Sequence, residues 1–542
     1  MQCIRGLRVL ALSLLWGTTA LAQTETQKVL TSAGKRDPLD AGFEKLALEL
    51  LDEWHVPGLS IAVVDGDETW AAGYGNATFP STPATPSTLY YAGSTTKAFT
   101  AAIISLLIDS GNYSGLGWRT PLSSLIRDDF VLMPEYEWAQ EHLTLEDAMS
   151  HRTGFPRHDK SLGTRYGPDG HPATVADLTR SLRHLPMVTE PRTDYRYCNL
   201  MWIVVSHVVE VLTGSWLGNL MRDLIWRPLG MNSTYLSLED ALASPEHLAM
   251  GYYWDYQSGG GGGYSEVPFA GLREGSGAGG IVSNVLDYTR WLRCLLDEAG
   301  PLSKAGHAAV KTPHITGAGG AFGWDAAPSY ALGWVAATYR GHRVFRHSGG
   351  MLAYGADVWF LPQLRFAVVT MGNTAITSNT AGQLLGWKLI DDKLGVPEGE
   401  RYDRHSHAKE SLNGLLHQFD KAVDHLYPDR ADPPVSRALP LEEYTGTYFH
   451  PGYLNMTIEL GLEKDQLRSV RNDFVWQMTF DYVHVSGEYW IIFIDMKETP
   501  NQLNAQVAKA EFRLGPDGKV SALIAEFMEE GSEGIVTFEK VA

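Results

Sequence analysis

The run Ser94-Thr95-Thr96-Lys97 sets a hydroxyl three residues ahead of an amine, just where the chain becomes apolar as AFTAAIISLLI. Positions three apart share a face of a helix, so the amine can reach the hydroxyl. A serine becomes a competent nucleophile when a neighbouring base takes its proton. A lysine ringed by apolar helix is poorly solvated as a cation, which favours its neutral, basic form. The pair reads as a nucleophile with its base, at a helix N-terminus whose N–H groups can hold a developing oxyanion. The competing reading is structural: a serine cap followed by a lysine that snorkels to water.

Spacing alone does not choose, because S-x-x-K occurs three times, at Ser32/Lys35, Ser94/Lys97 and Ser406/Lys409. Only Ser94 opens a strongly apolar helix; the others lie in polar or charged segments. Two further elements follow: Tyr197-Cys198-Asn199 and His347-Ser348-Gly349. Y-x-N recurs at Tyr74/Asn76 and Tyr453/Asn455, so position again decides. Cys198 is a rival nucleophile, but alternation along an extended segment turns it away from Tyr197 and Asn199. Asp403, His405 and His407 in DRHSH suggest a metal; no fourth ligand follows at structural-zinc spacing, and the segment reads as a solvated linker.

In this order and context the three elements resemble the serine β-lactamase and penicillin-binding-protein family, in its class C, D-aminopeptidase and esterase-like branch. VPGLSIAVV, LTLEDAMSHRTGFP, LIWRPLGMNSTYL and GAGGIVSNVLDYTRWL look like family segments in family order, over roughly residues 40–400. The resemblance implies an α+β fold: an antiparallel sheet flanked by helices, with a helical subdomain. It implies Ser94 as acyl-accepting nucleophile, Lys97 as the group taking its proton, and Tyr197 as the relay to leaving group and water. A phenol titrates at about pH 10 unless a cation lies close, and Lys97 would be that cation. Asn199 would hold the substrate amide or the lysine, and His347, Ser348 and Gly349 would bind substrate. Backbone N–H groups of Ser94 and Gly350 would form the oxyanion hole, at about 3 kcal/mol per donor. The family usually carries Lys where this chain has His347, mostly neutral near pH 7 if unperturbed. A carboxylate-bearing penicillin is therefore not the first expectation; an ester or amide is, including a D-amino-acid peptide or a secondary-metabolite ester. Neither metal nor organic cofactor is implied. A true β-lactamase, an acyltransferase and a catalytically silent peptide-binding protein remain the alternatives.

These residues need elements to position them. LDAGFEKLALELLDEW has helical periodicity, and VPGLSIAVVDGDETWAAGYG reads as two strands around an Asp-Gly turn. MWIVVSHVVEVLTGSWLGNL predicts a helix, RVFRHSGGMLAYGADVWFLPQLRFAVVTMGN paired strands, and Gly259 to Gly263 a loop. Residues 401–437 combine charged helical sequence with the Pro-containing PDRADPPVSRALP. Beyond them, VWQMTFDYVHV alternates Trp476, Met478, Phe480 and Tyr482 with polar residues. Residues 438–542 thus predict a small antiparallel β-barrel, similar to the lipocalin-like domain that follows many family members and placed to cap the cleft.

At 542 residues more than one folding unit is required. MQCIRGLRVLALSLLWGTTALAQ reads as a secretory signal peptide with cleavage after Ala22, leaving residues 23–400 as the hydrolase domain of an exported chain. No membrane span is expected in the mature chain. The net charge of -19 becomes more negative once Arg5 and Arg8 leave, which disfavours nucleic acid and leaves a small-molecule or peptide substrate as the expected partner. Cys198 and Cys294 are expected as free thiols. Asn76, Asn112, Asn232 and Asn455 head N-x-S/T acceptors that suit an exported glycoprotein.

Overall fold

The computed structural model describes residues 28–31, 36–256, 262–320, 322–500, 503, 505–527 and 534–541. The signal-like segment, the Ser32/Lys35 pair and residues 259–261 lie outside them.

Strands β1 (Gly58–Asp65) and β2 (Glu68–Thr78) form the hairpin that the Asp-Gly signal predicts. Gly66 takes the turn at φ +64°. Leu59, Ile61 and Val63 pack with Phe43 and Ala47 of helix α1 (Ala41–Glu53), while Ala62 and Val64 join the opposite core. That is the two-residue period of a strand buried on both faces. Val335–Tyr339 (β3), His342–Met351 (β4), Tyr354–Leu361 (β5) and Phe366–Gly372 (β6) continue the sheet. Its order is Lys28–Thr31, β2, β1, β6, β5, β4, β3, Ser329–Tyr330 and Ile315–Thr316, every neighbour antiparallel.

The helical subdomain holds α2 (Thr96–Asp109), α3 (Leu145–Met149) and α4 (Asn199–Thr213). Every residue of α2 from Thr96 to Ser105 is buried, as its lack of a polar face predicts. Thr144 and Asp147 close a capping box on α3. Val285–Asp297 (α5) covers one face of the sheet, and Thr377–Leu394 (α6) covers the other with α1. Among the described residues, no single helix is long and apolar enough to cross a membrane.

A linker helix, α7 (Arg404–His417), leads to a closed eight-stranded barrel running from Gly446–His450 to Ile535–Lys540. Each strand pairs with the next and the last with the first. Met478, Phe480 and Tyr482 alternate inward as expected. Trp476 corrects that pattern: it precedes the strand and faces the sheet-and-helix unit instead of the barrel core.

The barrel docks on the loop after α3. Thr164 N–H donates to Asp473 O at 2.9 Å and Val475 N–H to Leu162 O at 2.8 Å, a two-strand bridge across the units. The His158 imidazole meets the Tyr453 hydroxyl at 2.7 Å, and buried Arg471 donates to the carbonyls of Lys160 and Tyr453.

Candidate active site

Ser94 lies in a 3-10 turn, Gly93–Thr95, that runs into α2. Its side chain does not cap the helix, and Lys97 is fully buried, so the capped-helix reading is overturned. Two glycines permit the geometry. Gly93 adopts φ +52°, and a Cβ there would sit 2.6 Å from Gly350 N; a Cβ on Gly349 would sit 2.0 Å from Ala92 O. With neither present, β4 passes directly against the Ser94 turn and brings the Gly350 backbone beside it.

Lys97 Nζ lies 3.0 Å from Ser94 Oγ and donates to Asn199 Oδ1 (2.8 Å) and Ala278 O (2.6 Å). Asn199 Nδ2 donates to both oxygens of Asp159 at 3.1 Å, which fixes the amide with its oxygen toward the lysine. Two of the three lysine partners are thus pure acceptors. A neutral amine keeps two N–H bonds for them and aims its lone pair at the third, the serine hydroxyl. Burial, followed by the charge of Arg157, holds the Lys97 ammonium well below its ordinary range. Tyr197 OH donates to Ser94 Oγ at 2.7 Å, so hydroxyl, amine and phenol form one cluster.

Asn199 differs from the extended geometry expected of it. Cys198 is extended and Asn199 is the first residue of α4, so the amide is set by a helix N-terminus. Cys198 is buried, and burial pushes its thiol up to about 12. It and Cys294 are free cysteines. Asp403 caps α7 through Ser406 N–H, His405 reaches Glu53 at 2.7 Å, and His407 stacks on Tyr402, all away from the cluster.

The cluster opens on two cavities. One, of about 640 Å³, is lined by Tyr195, Tyr197, Tyr330, His347 and exposed Ser348. His347 Nδ1 lies 2.6 Å from Ser348 O, which only accepts, so Nδ1 carries the proton and Nε2 receives the Tyr330 hydroxyl at 2.8 Å. Burial, with Lys97 adding to it, pushes this imidazole down to about 3, leaving it neutral. The other cavity, of about 360 Å³, runs from Asn199, Gly350 and Met351 to Trp476, Met478 and Ile494 of the barrel unit. Ile376 joins this wall from a tight turn, φ +62° and ψ -56°, in which Thr377 N–H donates to Ala375 O at 2.6 Å. A β-branched residue in that conformation is strained, and such strain collects at functional sites.

Sequence reasoning missed four features: His151, stacked 4.1 Å from the Tyr197 ring; Tyr330; the Arg157–Asp159 pair; and the barrel's wall residues. Arg157 and Asp159 directly follow LTLEDAMSHRTGFP, and charges crowded into a loop beside an apolar helix were the available signal.

A family model described as Beta-lactamase matches residues 43–385, and a Domain of unknown function (DUF3471) matches residues 430–538. Unguisins hydrolase ungD' of Aspergillus campestris is 43% identical over 488 residues, 90% of this chain and 89% of that protein. A D-aminopeptidase of Brucella anthropi is 24% identical over 353 residues, 64% of this chain and 61% of its own. The octameric penicillin-binding protein homologue from Pyrococcus abyssi superposes with TM-score 0.57 at 19% identity, covering 92% of this chain and 100% of that one.

Proposed function

The chain belongs to the beta-lactamase family and is a serine hydrolase of ester or amide bonds, and from that premise we propose how and on what it acts. Ser94 Oγ attacks the substrate carbonyl carbon while Lys97 takes its proton. The oxyanion rests on the N–H groups of Ser94 and Gly350. Tyr197 delivers a proton to the departing nitrogen or oxygen, the carbonyl–heteroatom bond breaks, and an acyl group stays on Ser94. Water then attacks the acyl carbon and gives its proton to the Tyr197 phenolate, the bond from Ser94 Oγ to the acyl carbon breaks, Oγ takes its proton back from Lys97, and the acid leaves. The observation that carries this reading is the three-way coordination of Lys97, which leaves one lone pair facing one hydroxyl.

Met351, Ile376, Trp476 and Met478 favour an apolar acyl group, and His347, neutral in its site, offers no cation to a penicillin carboxylate. The substrate class we propose is therefore an ester or peptide-like amide of a secondary metabolite, in keeping with a relative named for hydrolysing unguisins. Residues 1–22 and the four N-x-S/T acceptors support export and glycosylation.

Intact-mass spectrometry after a fluorophosphonate tests the centre: one adduct on wild type and on Cys198→Ala, none on Ser94→Ala. An equal adduct on Ser94→Ala overturns it. Turnover of p-nitrophenyl esters and D-alanyl anilides should exceed that of a chromogenic cephalosporin, and the reverse order overturns the substrate class.

A further inference from the structure

Arg157 lies where the two cavities meet and lines both. Its guanidinium carbon is 4.8 Å from the centre of the Tyr197 ring, and its Nε donates to Asp159 Oδ2 at 2.9 Å. The same carboxylate receives Asn199, which holds Lys97. One ion pair therefore touches the phenol with its cation and steers the amine with its anion.

We propose that Arg157 and Asp159 act as a matched charge pair on the Ser94 centre: the Arg157 cation stabilises the deprotonated forms of Tyr197 and Lys97, and Asp159 sets its position and limits its effect. This rests on the proposed acyl-enzyme reading.

The other groups facing the phenol and amine bear little charge. From the same loop, His151 is held well below its ordinary range by burial and then Lys97; from β4, His347 is at about 3. Burial pushes the Cys198 thiol up to about 12 and the Tyr330 hydroxyl well above its usual range, so both keep their protons. Arg346 is paired with Asp357 at 2.8 Å, and Asp495 faces the barrel-side cavity. Among these described neighbours, the charges beside Tyr197 and Lys97 are Arg157 and Asp159. A cation favours the proton-free form of a neighbour, and an anion the protonated form. Losing Arg157 should therefore leave the base protonated to higher pH, and losing the Asp159 charge should do the reverse.

The test is the pH profile of kcat/KM on a p-nitrophenyl ester for wild type, Arg157→Met, Arg157→Lys and Asp159→Asn, with unfolding by circular dichroism alongside. The acid limb is expected to move up by about one pH unit in Arg157→Met and down in Asp159→Asn. Arg157→Lys keeps the charge but not the planar fork, and should hold its limb near the wild-type position with a lower plateau. Arg157→Met should regain most of its rate at alkaline pH. A uniform loss at every pH, with all limbs in place, overturns the proposal in favour of packing. If Arg157→Met does not fold, an acid limb unmoved in a folded Asp159→Asn overturns it equally. Failure of the acyl-enzyme reading is seen separately, as fluorophosphonate labelling that survives Ser94→Ala.

Discussion

Lys97 has three partners and one removable proton, so the chemistry of the centre is decided by which partner can also donate. Only Ser94 can. Replacing Lys97 by Met removes the acceptor while leaving the hydroxyl under Tyr197, and acylation should fall about 10³-fold or more by stopped-flow, with cooperative unfolding retained. His347 yields a stability prediction with a definite sign. Its folded value of about 3 lies below the unfolded value of about 6.5, so its contribution is full above pH 6.5 and is lost as pH falls toward 3. Asp357 works oppositely: burial raises it to about 6, so its contribution is lost as pH rises from about 4 to 6. His347→Gln leaves Asp357 in place, and the slope of Tm against pH between 4 and 6 should become less positive than in wild type. An unchanged slope contradicts a depressed imidazole.

The 3-10 turn before α2 and strand β4 meet through backbone alone, because Gly93 and Gly349 bring no side chains to the contact. The N–H groups of Ser94 and Gly350 are held together by this packing, so a single methyl group is a fair probe of it. Gly349→Ala should push β4 away from the turn and lower kcat about 100-fold, the scale of a misplacement near 1 Å. The readout is the rate of p-nitrophenyl ester turnover beside an unfolding curve; wild-type kcat in a folded variant would show that β4 does not set the oxyanion site. The S-x-x-K spacing and the apolar run were legible because helical periodicity is local. The start of α4 at Asn199 was not, since Tyr197-Cys198-Asn199 reads equally well as extended chain.

The barrel belongs to the site as well as to the fold. It braces the loop carrying Arg157 and Asp159 through the Gly163–Phe474 bridge, and it lends Trp476 and Met478 to the cavity beside Asn199. Trp476→Ala should leave p-nitrophenyl acetate turnover within about threefold of wild type while raising that of bulky aromatic acyl esters about tenfold relative to acetate. Unchanged selectivity would mean that the acyl group does not reach the barrel.

The amino-acid sequence by itself picked out Ser94, Lys97 and Tyr197, the side chains that the fold brings into one cluster, and the two-unit plan, because each is written in local spacing, in periodicity or in motifs that keep a fixed order. It also indicated the His347 substitution, but not how far that imidazole would be silenced. Tertiary structure alone decided that Arg157 lies on Tyr197, that Asp159 grips Asn199, and that a tryptophan from the barrel's edge faces the cavity beside Asn199 and Gly350. Those contacts join segments far apart in the chain, and what fixes them is the packing of the loop after α3 between the helical subdomain and the barrel, whose buried residues form one continuous core, which no local pattern encodes.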